Sequence, residues 1–272
     1  MAMHYGIFYA TFSCGPFFNM AMDEWMFRRA IDCPGTILLR LYTWNSGAIT
    51  FGINQNVNRV VNERKLNGTP LIRRATGGRA LYHEPSELTY SIAVNSAGLG
   101  ITAFKGSLGE SSRAISLALL QFLGAMDIRA HYVRLSSEQF LSKESFHSQP
   151  CFQSSARQEI VGEKGKIIAS AQRRIGDAFL QHGSIKINGV KNHPALPVTP
   201  NNSLNIRGLQ LIDRAAFQTI SALFRDQMGQ SLEVDFSLEI LKDEEFSEVL
   251  AWERQVKETC IFKREFTKQF PP

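Results

Sequence analysis

Two residue types in this chain invite nucleophilic chemistry: a cysteine in Cys151-Phe152-Gln153-Ser154, and a lysine, Lys166, that opens the apolar run Ile167-Ile168-Ala169. The residues between them read as an antiparallel hairpin, Arg157 to Val161 and Lys166 to Gln172 joined by the turn-forming Gly162-Glu163-Lys164-Gly165. If that hairpin folds back, the lysine approaches the cysteine that lies just before its first strand. A free cysteine ionises near pH 8.5, so a thioester-forming cysteine working near neutrality needs a cation close to its sulfur. An ammonium placed there favours the thiolate and so activates the nucleophile. Taken singly, a free cysteine is a small buried hydrophobe and a strand-edge lysine is solvated. Lys164 is the competing lysine, and the apolar run after Lys166 favours Lys166 as the inward member.

A second feature is the stretch Arg73-Arg74-Ala75-Thr76-Gly77-Gly78-Arg79-Ala80-Leu81-Tyr82-His83. Paired glycines between arginines describe a loop whose backbone can turn with positive φ and bring its N–H groups against an anionic or carbonyl-rich ligand. Such N–H groups also suit the oxyanion of a tetrahedral intermediate. A third is Leu180-Gln181-His182-Gly183-Ser184-Ile185, downstream of Ser170 and Gln172. His83 and His182 are assigned to pocket formation rather than proton transfer, since a histidine beside a strand is more often a hydrogen-bonded structural group.

Together these segments resemble the lipoate and octanoate protein-modifying family, which shares its catalytic domain with biotin protein ligases, and most of all its cysteine-dependent octanoyltransferases. The likeness extends to Phe18-Asn19-Met20-Ala21-Met22-Asp23-Glu24 and to Arg40-Leu41-Tyr42-Thr43-Trp44 followed by Gly52 and Gln55-Asn56, and runs from about Phe18 to Ile187. The resemblance implies that Cys151 and Lys166 are the catalytic pair. It also implies that Arg73, Arg74, Gly77, Gly78 and Arg79, with His83, Ser170, His182 and Gly183, bind the acyl substrate. The implied reaction is octanoyl transfer from an acyl-carrier protein thioester, through a Cys151 acyl-enzyme, to a lysine of a lipoyl domain or glycine cleavage H protein, with no cofactor. Two rivals stand beside it. One is an ATP-dependent lipoate or octanoate ligase, which would use ATP and magnesium to form an acyl-adenylate; the other is a carrier-protein binder without catalysis. The residues after Pro200 look too few for the accessory domain many such ligases carry. Two departures from the family pattern stand out: Ala169, where relatives commonly have glycine, and Ala75, where proline or serine is frequent. Either bears on which acyl group fits.

Composition narrows the alternatives. The chain has 272 residues, 44% hydrophobic and 20% charged, which suits a globular protein with a substantial core. No uninterrupted apolar run reaches membrane-spanning length, and Asp23, Glu24, Arg28 and Arg29 break the N-terminal apolar stretch before any cleavage pattern, so neither a membrane span nor a signal peptide is expected. Cys14, Cys33, Cys151 and Cys260 lack metal-ligand spacing, which argues against zinc and for a reducing cytoplasm. A net charge of +5 is compatible with an acidic protein partner, while the scattered basic residues argue against nucleic acid.

These residues must be held by an ordered set of elements. Asn19 to Ala30 reads as a first helix, with Asn19 as a possible cap. Thr36 to Tyr42 and Gly47 to Gly52 read as buried strands, Glu87 to Val94 as a half-buried alternating strand, and Ala178 to Ile187 as another strand. Ser111 to Ala125, Asp213 to Met228 and Lys242 to Cys260 carry apolar residues at helical spacing. Arg134 to Pro150 reads as a polar surface loop, suited to a lid beside Cys151, and Pro194 to Pro200 as the best candidate for a linker. The expected fold, taken from the resemblance, is an α/β (α+β) biotin/lipoate ligase-type catalytic domain: a larger mixed sheet, a smaller sheet beside it and helices outside. Residues 1–272 would form one domain, with 201–272 as a mainly helical closing segment.

Overall fold

The computed structural model describes residues 4–85, 87–134, 158–163, 165–186, 191–197 and 212–261. Cys151 and the expected lid at 135–150 lie outside these residues.

Two sheets organise the described chain. The larger one joins β1 (His4–Cys14), β2 (Ile37–Trp44), β6 (Leu88–Asn95), β7 (His131–Arg134), β8 (Gln158–Gly162), β9 (Gly165–Ile175), β10 (Ala178–Ile185) and β11 (Val234–Leu238) in the order β11-β1-β2-β6-β10-β9-β8-β7. β1 runs parallel to both β2 and β11, and the other neighbours pair antiparallel, so the sheet is mixed as expected. The smaller sheet contains β3 (Ala48–Phe51), β4 (Leu71–Arg73) and β5 (Leu81–His83), ordered β4-β3-β5. The glycine loop is therefore the connection from β4 to β5.

Helix α1 (Pro16–Asp32) covers one face of the large sheet, and a short α2 (Thr102–Lys105) leads into α3 (Leu108–Ala125) on the other. The first helix starts three residues earlier than Asn19: Gly15 is its N-cap and Pro16 takes the first helical position, where its missing N–H costs nothing. No acidic side chain lies in that first turn. Asn19 is instead fully buried and bonds to Arg40. α3 begins with the reciprocal Ser107–Glu110 capping box. α4 (Arg214–Leu232) is capped by the Asp213 carboxylate, packs on α3, and is followed by β11 at the sheet edge. α5 (Asp243–Ile261) lies on α1, where the Trp25 indole donates to Glu248 at 2.6 Å. The C-terminal segment thus supplies an edge strand as well as its two helices.

Two expectations need correction. β6 is not half-buried: all eight of its residues are buried, because α1 and the glycine loop cover the side that its polar residues face. The Pro194 to Pro200 stretch is no free linker where it is described, since Ala195 is buried in the small-sheet core and its carbonyl accepts from Asn62 N at 2.8 Å; residues 198–200 lie outside the described set. No helix among the described residues is long and apolar enough to cross a membrane.

Candidate active site

The site forms where the large sheet, α1 and the glycine loop meet, and its floor follows from strand register. Tyr42, Thr89, Ser184 and Ala169 lie side by side on β2, β6, β10 and β9, and Arg40, Ser91, His182 and Ala171 form the next row. Because side chains alternate along a strand, all eight share one face. The residues between them, including Leu39, Leu41, Leu88, Ile92 and Ile185, enter the core on the opposite face. A narrow pocket sits on this polar floor, lined by Met20, Tyr42, Arg74, Gly78, Arg79, Leu81, His83, Thr89, Ala169, Ser170, Ala171, His182, Gly183 and Ser184. Its cavity volume is about 30 Å³.

Gly183 keeps a gap in the sheet itself. A methyl group there would stand 2.7 Å from Ser170 Oγ and from a Tyr90 ring carbon, and 2.9 Å from the Ala169 carbonyl. Across that gap Tyr90 and Ser170 share a hydroxyl hydrogen bond of 2.8 Å. Burial pushes the Tyr90 phenol up to about 12, so it works as a neutral hydroxyl. Gly78, with φ of 90°, makes the turn of the glycine loop that other residues rarely adopt.

Two hydrogen-bonded chains pin that loop to buried carboxylates. In the first, Thr76 Oγ1 meets His182 Nε2 at 2.6 Å and His182 Nδ1 meets Asp23 Oδ2 at 3.1 Å. Asp23 also accepts from Arg40 at 3.0 Å, Tyr42 at 2.9 Å and Ser91 at 2.8 Å. Burial alone would raise its carboxyl, but the bond from His182, the Arg40 guanidinium and the Ser91 hydroxyl reverse this and hold it below the usual carboxylate range. Asp23 thereby orients the His182 ring so that Nε2 faces the Thr76 hydroxyl. In the second chain Arg74 donates to Thr50 at 2.9 Å, Thr50 meets His83 Nε2 at 2.7 Å, and His83 Nδ1 meets Glu87 at 2.7 Å. Lys186 closes that chain by pairing with Glu87. Burial would raise Glu87 too, yet Lys186 and then His83 bring its carboxyl down to about 2. His83 is held below its ordinary value because burial outweighs the pull of Glu87, and Trp44 stacks on its ring at 4.1 Å. Both histidines line the pocket and tie its loop to buried carboxylates.

Lys166 reaches the pocket side of the sheet through an irregularity. Ile160 pairs with Ile168, but Val161 pairs with Lys166, so β9 holds one residue more than β8 at this point, Ile167. Ile160, Ile167 and Ile168 all enter the core. The bulge thereby reverses the alternation and sends Lys166 to the face that carries Ala169 and Glu159. Lys166 Nζ lies 3.0 Å from Glu159 Oε1, with both side chains largely buried. Lys164 lies outside the described residues, as Cys151 does.

The structure thus brings together Arg74, Gly78, Arg79, His83, Ser170, His182 and Gly183 around one pocket, with Lys166 on the same side of the sheet. Arg73 and Gly77 are not among the lining residues. Arg73 is exposed, donates to the Ile53 carbonyl at 2.6 Å and lies over the Phe51 ring, while the Gly77 carbonyl accepts from Arg74 at 2.9 Å. Both shape the loop from behind. Ala169 is a wall residue, whereas Ala75 packs against the α1 core and accepts from Arg173 through its carbonyl. Gln172 bonds to Gln181 and Ser111 away from the pocket lining. Sequence reasoning missed Asp23, Arg40, Thr50, Thr76, Glu87 and Lys186 as site residues. A signal existed for one of them: Arg40 is a lone charge within Ile37-Leu38-Leu39-Arg40-Leu41-Tyr42 and is fully buried.

A mixed sheet with a small satellite sheet, and a glycine loop closing a pocket between them, defines the lipoate ligase type of α/β fold. Lipoate-protein ligase A bound with ATP superposes with a TM-score of 0.69 at 18% identity, over 92% of this chain and 95% of that one. A bi-partite lipoate protein ligase from Thermoplasma acidophilum gives 0.64 at 17% identity, over 92% of both chains. Residues 15–237 match the family described as the lipoyl protein ligase A/B catalytic domain, and the chain belongs to it. Among its relatives are the octanoyltransferase LipM of Brevibacillus brevis, 34% identical over 183 residues, and that of Kyrpidia tusciae, 36% identical over 175. These matches cover 65% and 63% of this chain, which spans only 64% and 62% of the relatives' lengths.

Proposed function

We propose that this chain, acting as one catalytic domain, is an octanoyltransferase of protein lipoylation that works through an acyl-enzyme on Cys151. The observation that carries the reading is the β9 bulge, which turns Lys166 out of the apolar core to the side of the sheet where the pocket lies. A lysine meant only for solvent needs no such device. The octanoyltransferase names of relatives at 34% and 36% identity support the same reaction class.

In the first half-reaction the Cys151 thiolate attacks the thioester carbonyl of an octanoyl-carrier protein. A sulfur–carbon bond forms, the carrier's thiolate leaves and takes a proton, and octanoyl-Cys151 remains. In the second, the ε-amine of a target lysine on a lipoyl domain or glycine cleavage H protein attacks that thioester. The amide forms, the amine loses a proton, and the Cys151 thiol is released. Lys166 steadies the thiolate in both halves, and N–H groups of the glycine loop receive the oxyanion. Thioester exchange is nearly balanced and amide formation is downhill, so the reaction consumes no ATP and needs no metal. The octanoyl chain enters the pocket between Gly183 and the loop. Because the gap is narrow, entry requires the loop held by Thr76 and Arg74 to shift.

Incubation with octanoyl-carrier protein in the absence of ATP is the test. Intact mass should show one octanoyl adduct that is lost in Cys151→Ala and is passed to a lipoyl domain. Labelling of the acceptor only with free octanoate and ATP would point to a ligase, and no labelling in either case to a binder.

A further inference from the structure

We propose that the Ser184 hydroxyl binds the carbonyl oxygen of the acyl group and so orients the chain in the pocket; this deepens the octanoyltransferase reading above and rests on it. The case begins with what the polar floor leaves over. Tyr42, Ser91 and Arg40 donate to Asp23, Thr89 accepts from the Trp44 indole, and both ring nitrogens of His182 are engaged. Ser184 lies on the same face, 1% exposed, and its Oγ has no hydrogen-bond partner among the described residues. Strand register accounts for this. Its cross-strand neighbours are Thr89, whose hydroxyl is taken by Trp44 and Glu87, and Ala169, which has no polar side-chain atom. A buried hydroxyl without a partner carries its desolvation penalty uncompensated, so one kept at a pocket wall calls for a ligand atom.

The chemistry of that ligand follows from the rest of the wall. Met20, Leu81, Ala169 and Ala171 suit an alkyl chain. A medium-chain acyl group is apolar except for its carbonyl, an acceptor, which matches the one floor hydroxyl left without a partner among the described residues. Ser184 and Ala169 form the row nearer Lys166, and His182 and Ala171 the row beyond it. A carbonyl held at Ser184 therefore turns the reacting end of the acyl group toward the Lys166 end of the floor and the tail toward Ala171. There a glycine keeps room, since a methyl group on Gly78 would stand 3.3 Å from the Ala171 side chain. The cavity of about 30 Å³ has space for a water molecule, which is the competing partner for the hydroxyl.

The experiment titrates two pantetheine analogues into the full-length protein by calorimetry. One is the ketone in which a methylene replaces the sulfur of octanoyl-pantetheine, so the carbonyl stays and nothing can be transferred; the other is S-octyl-pantetheine, a thioether without a carbonyl. Wild type should bind the ketone more tightly. Ser184→Ala should weaken the ketone about tenfold and leave the thioether within about twofold, with the thermal midpoint of the unliganded protein at or above that of wild type. Ser184→Thr, which keeps the hydroxyl, should retain the preference for the ketone. Equal losses for both analogues in Ser184→Ala, or no loss for either, would overturn the proposal, as would a wild-type protein that binds neither. If Ser184→Ala fails to fold, Ser184→Cys, close in size but a weak donor, takes its place with the same outcomes. A wild-type protein that binds the ketone through Ser184, yet takes no octanoyl group on Cys151, defeats the acyl-enzyme reading and leaves the carbonyl contact standing.

Discussion

The two faces of the large sheet are built from the same strands and differ in almost every physical respect. On one, Leu39, Leu41, Leu88, Ile92, Phe179 and Ile185 join α3 and α4 in a continuous apolar core. On the other, Arg40, Tyr42, Thr89, Ser91 and His182 are equally buried but tied by hydrogen bonds and charge. The first face is held by area removed from water, which tolerates changes of similar volume. The second is held by pairing of its buried polar groups, Ser184 Oγ being an exception, and loses most when one partner is removed. Alternation in a sequence therefore need not mean solvent on the polar side.

The largest expected effect falls on the hub of the polar face. Asp23→Ala strands the buried Arg40 guanidinium and should cost about 3–5 kcal/mol, as chemical denaturation would record. Leu41→Ala, its neighbour facing the apolar core, should cost about 2–5 kcal/mol. If Asp23→Ala were the milder by a wide margin, the contrast between the faces would be wrong. Next comes Gly183→Ala: its methyl group would leave the sheet on the face opposite the polar floor and meet Ser170 Oγ and the Tyr90 ring at 2.7 Å, which should destabilise by about 1–3 kcal/mol and lower the denaturation midpoint.

Acid should expose the polar face selectively. His83 is held below the value of 6.5 it has when unfolded, so the unfolded chain takes up that proton first and stability starts to fall as pH drops through 6.5. Glu87 contributes stability that is present above 4.5 and lost as pH falls toward about 2. Thermal midpoints measured from pH 8 to 3 should decline in these two stages, and His83→Gln should flatten the first. A smaller effect is expected from Thr76→Val, which removes the hydroxyl that meets His182: about 1 kcal/mol of stability, with a raised KM for the acyl donor. Thr76→Ser should restore KM. Smallest is Ala169→Gly, which widens one wall and should shift relative kcat/KM toward longer acyl chains by roughly tenfold or less.

Much of the fold was legible because each strand and helix carries its own period. α3, α4, α5 and the hairpin of β8 and β9 appear where apolar spacing and turn residues put them. The glycine loop and the His182-Gly183 step were singled out by their likeness to the family in combination, and both lie along the pocket. Less was legible where burial depends on distant chain. β6 reads as half-exposed when its covering helix and loop are out of view, and Asn19 reads as a cap although it is a buried partner of Arg40. β1 and β11 gave no usable signal, since their parallel pairing joins opposite ends of the chain.

The sequence alone pointed to the family, because its arginine-flanked glycines, its lysine-led apolar strand and its His-Gly step are residue patterns that survive without coordinates. Tertiary structure decided which way Lys166 and the residues of the pocket point. One extra residue in β9 reverses the direction of Lys166, and cross-strand register, a property of several segments at once, gathers Asp23, Arg40 and His182 into a single buried network. Local residue patterns carry no information about such register, which is why the supporting residues of the pocket came into view only with the fold.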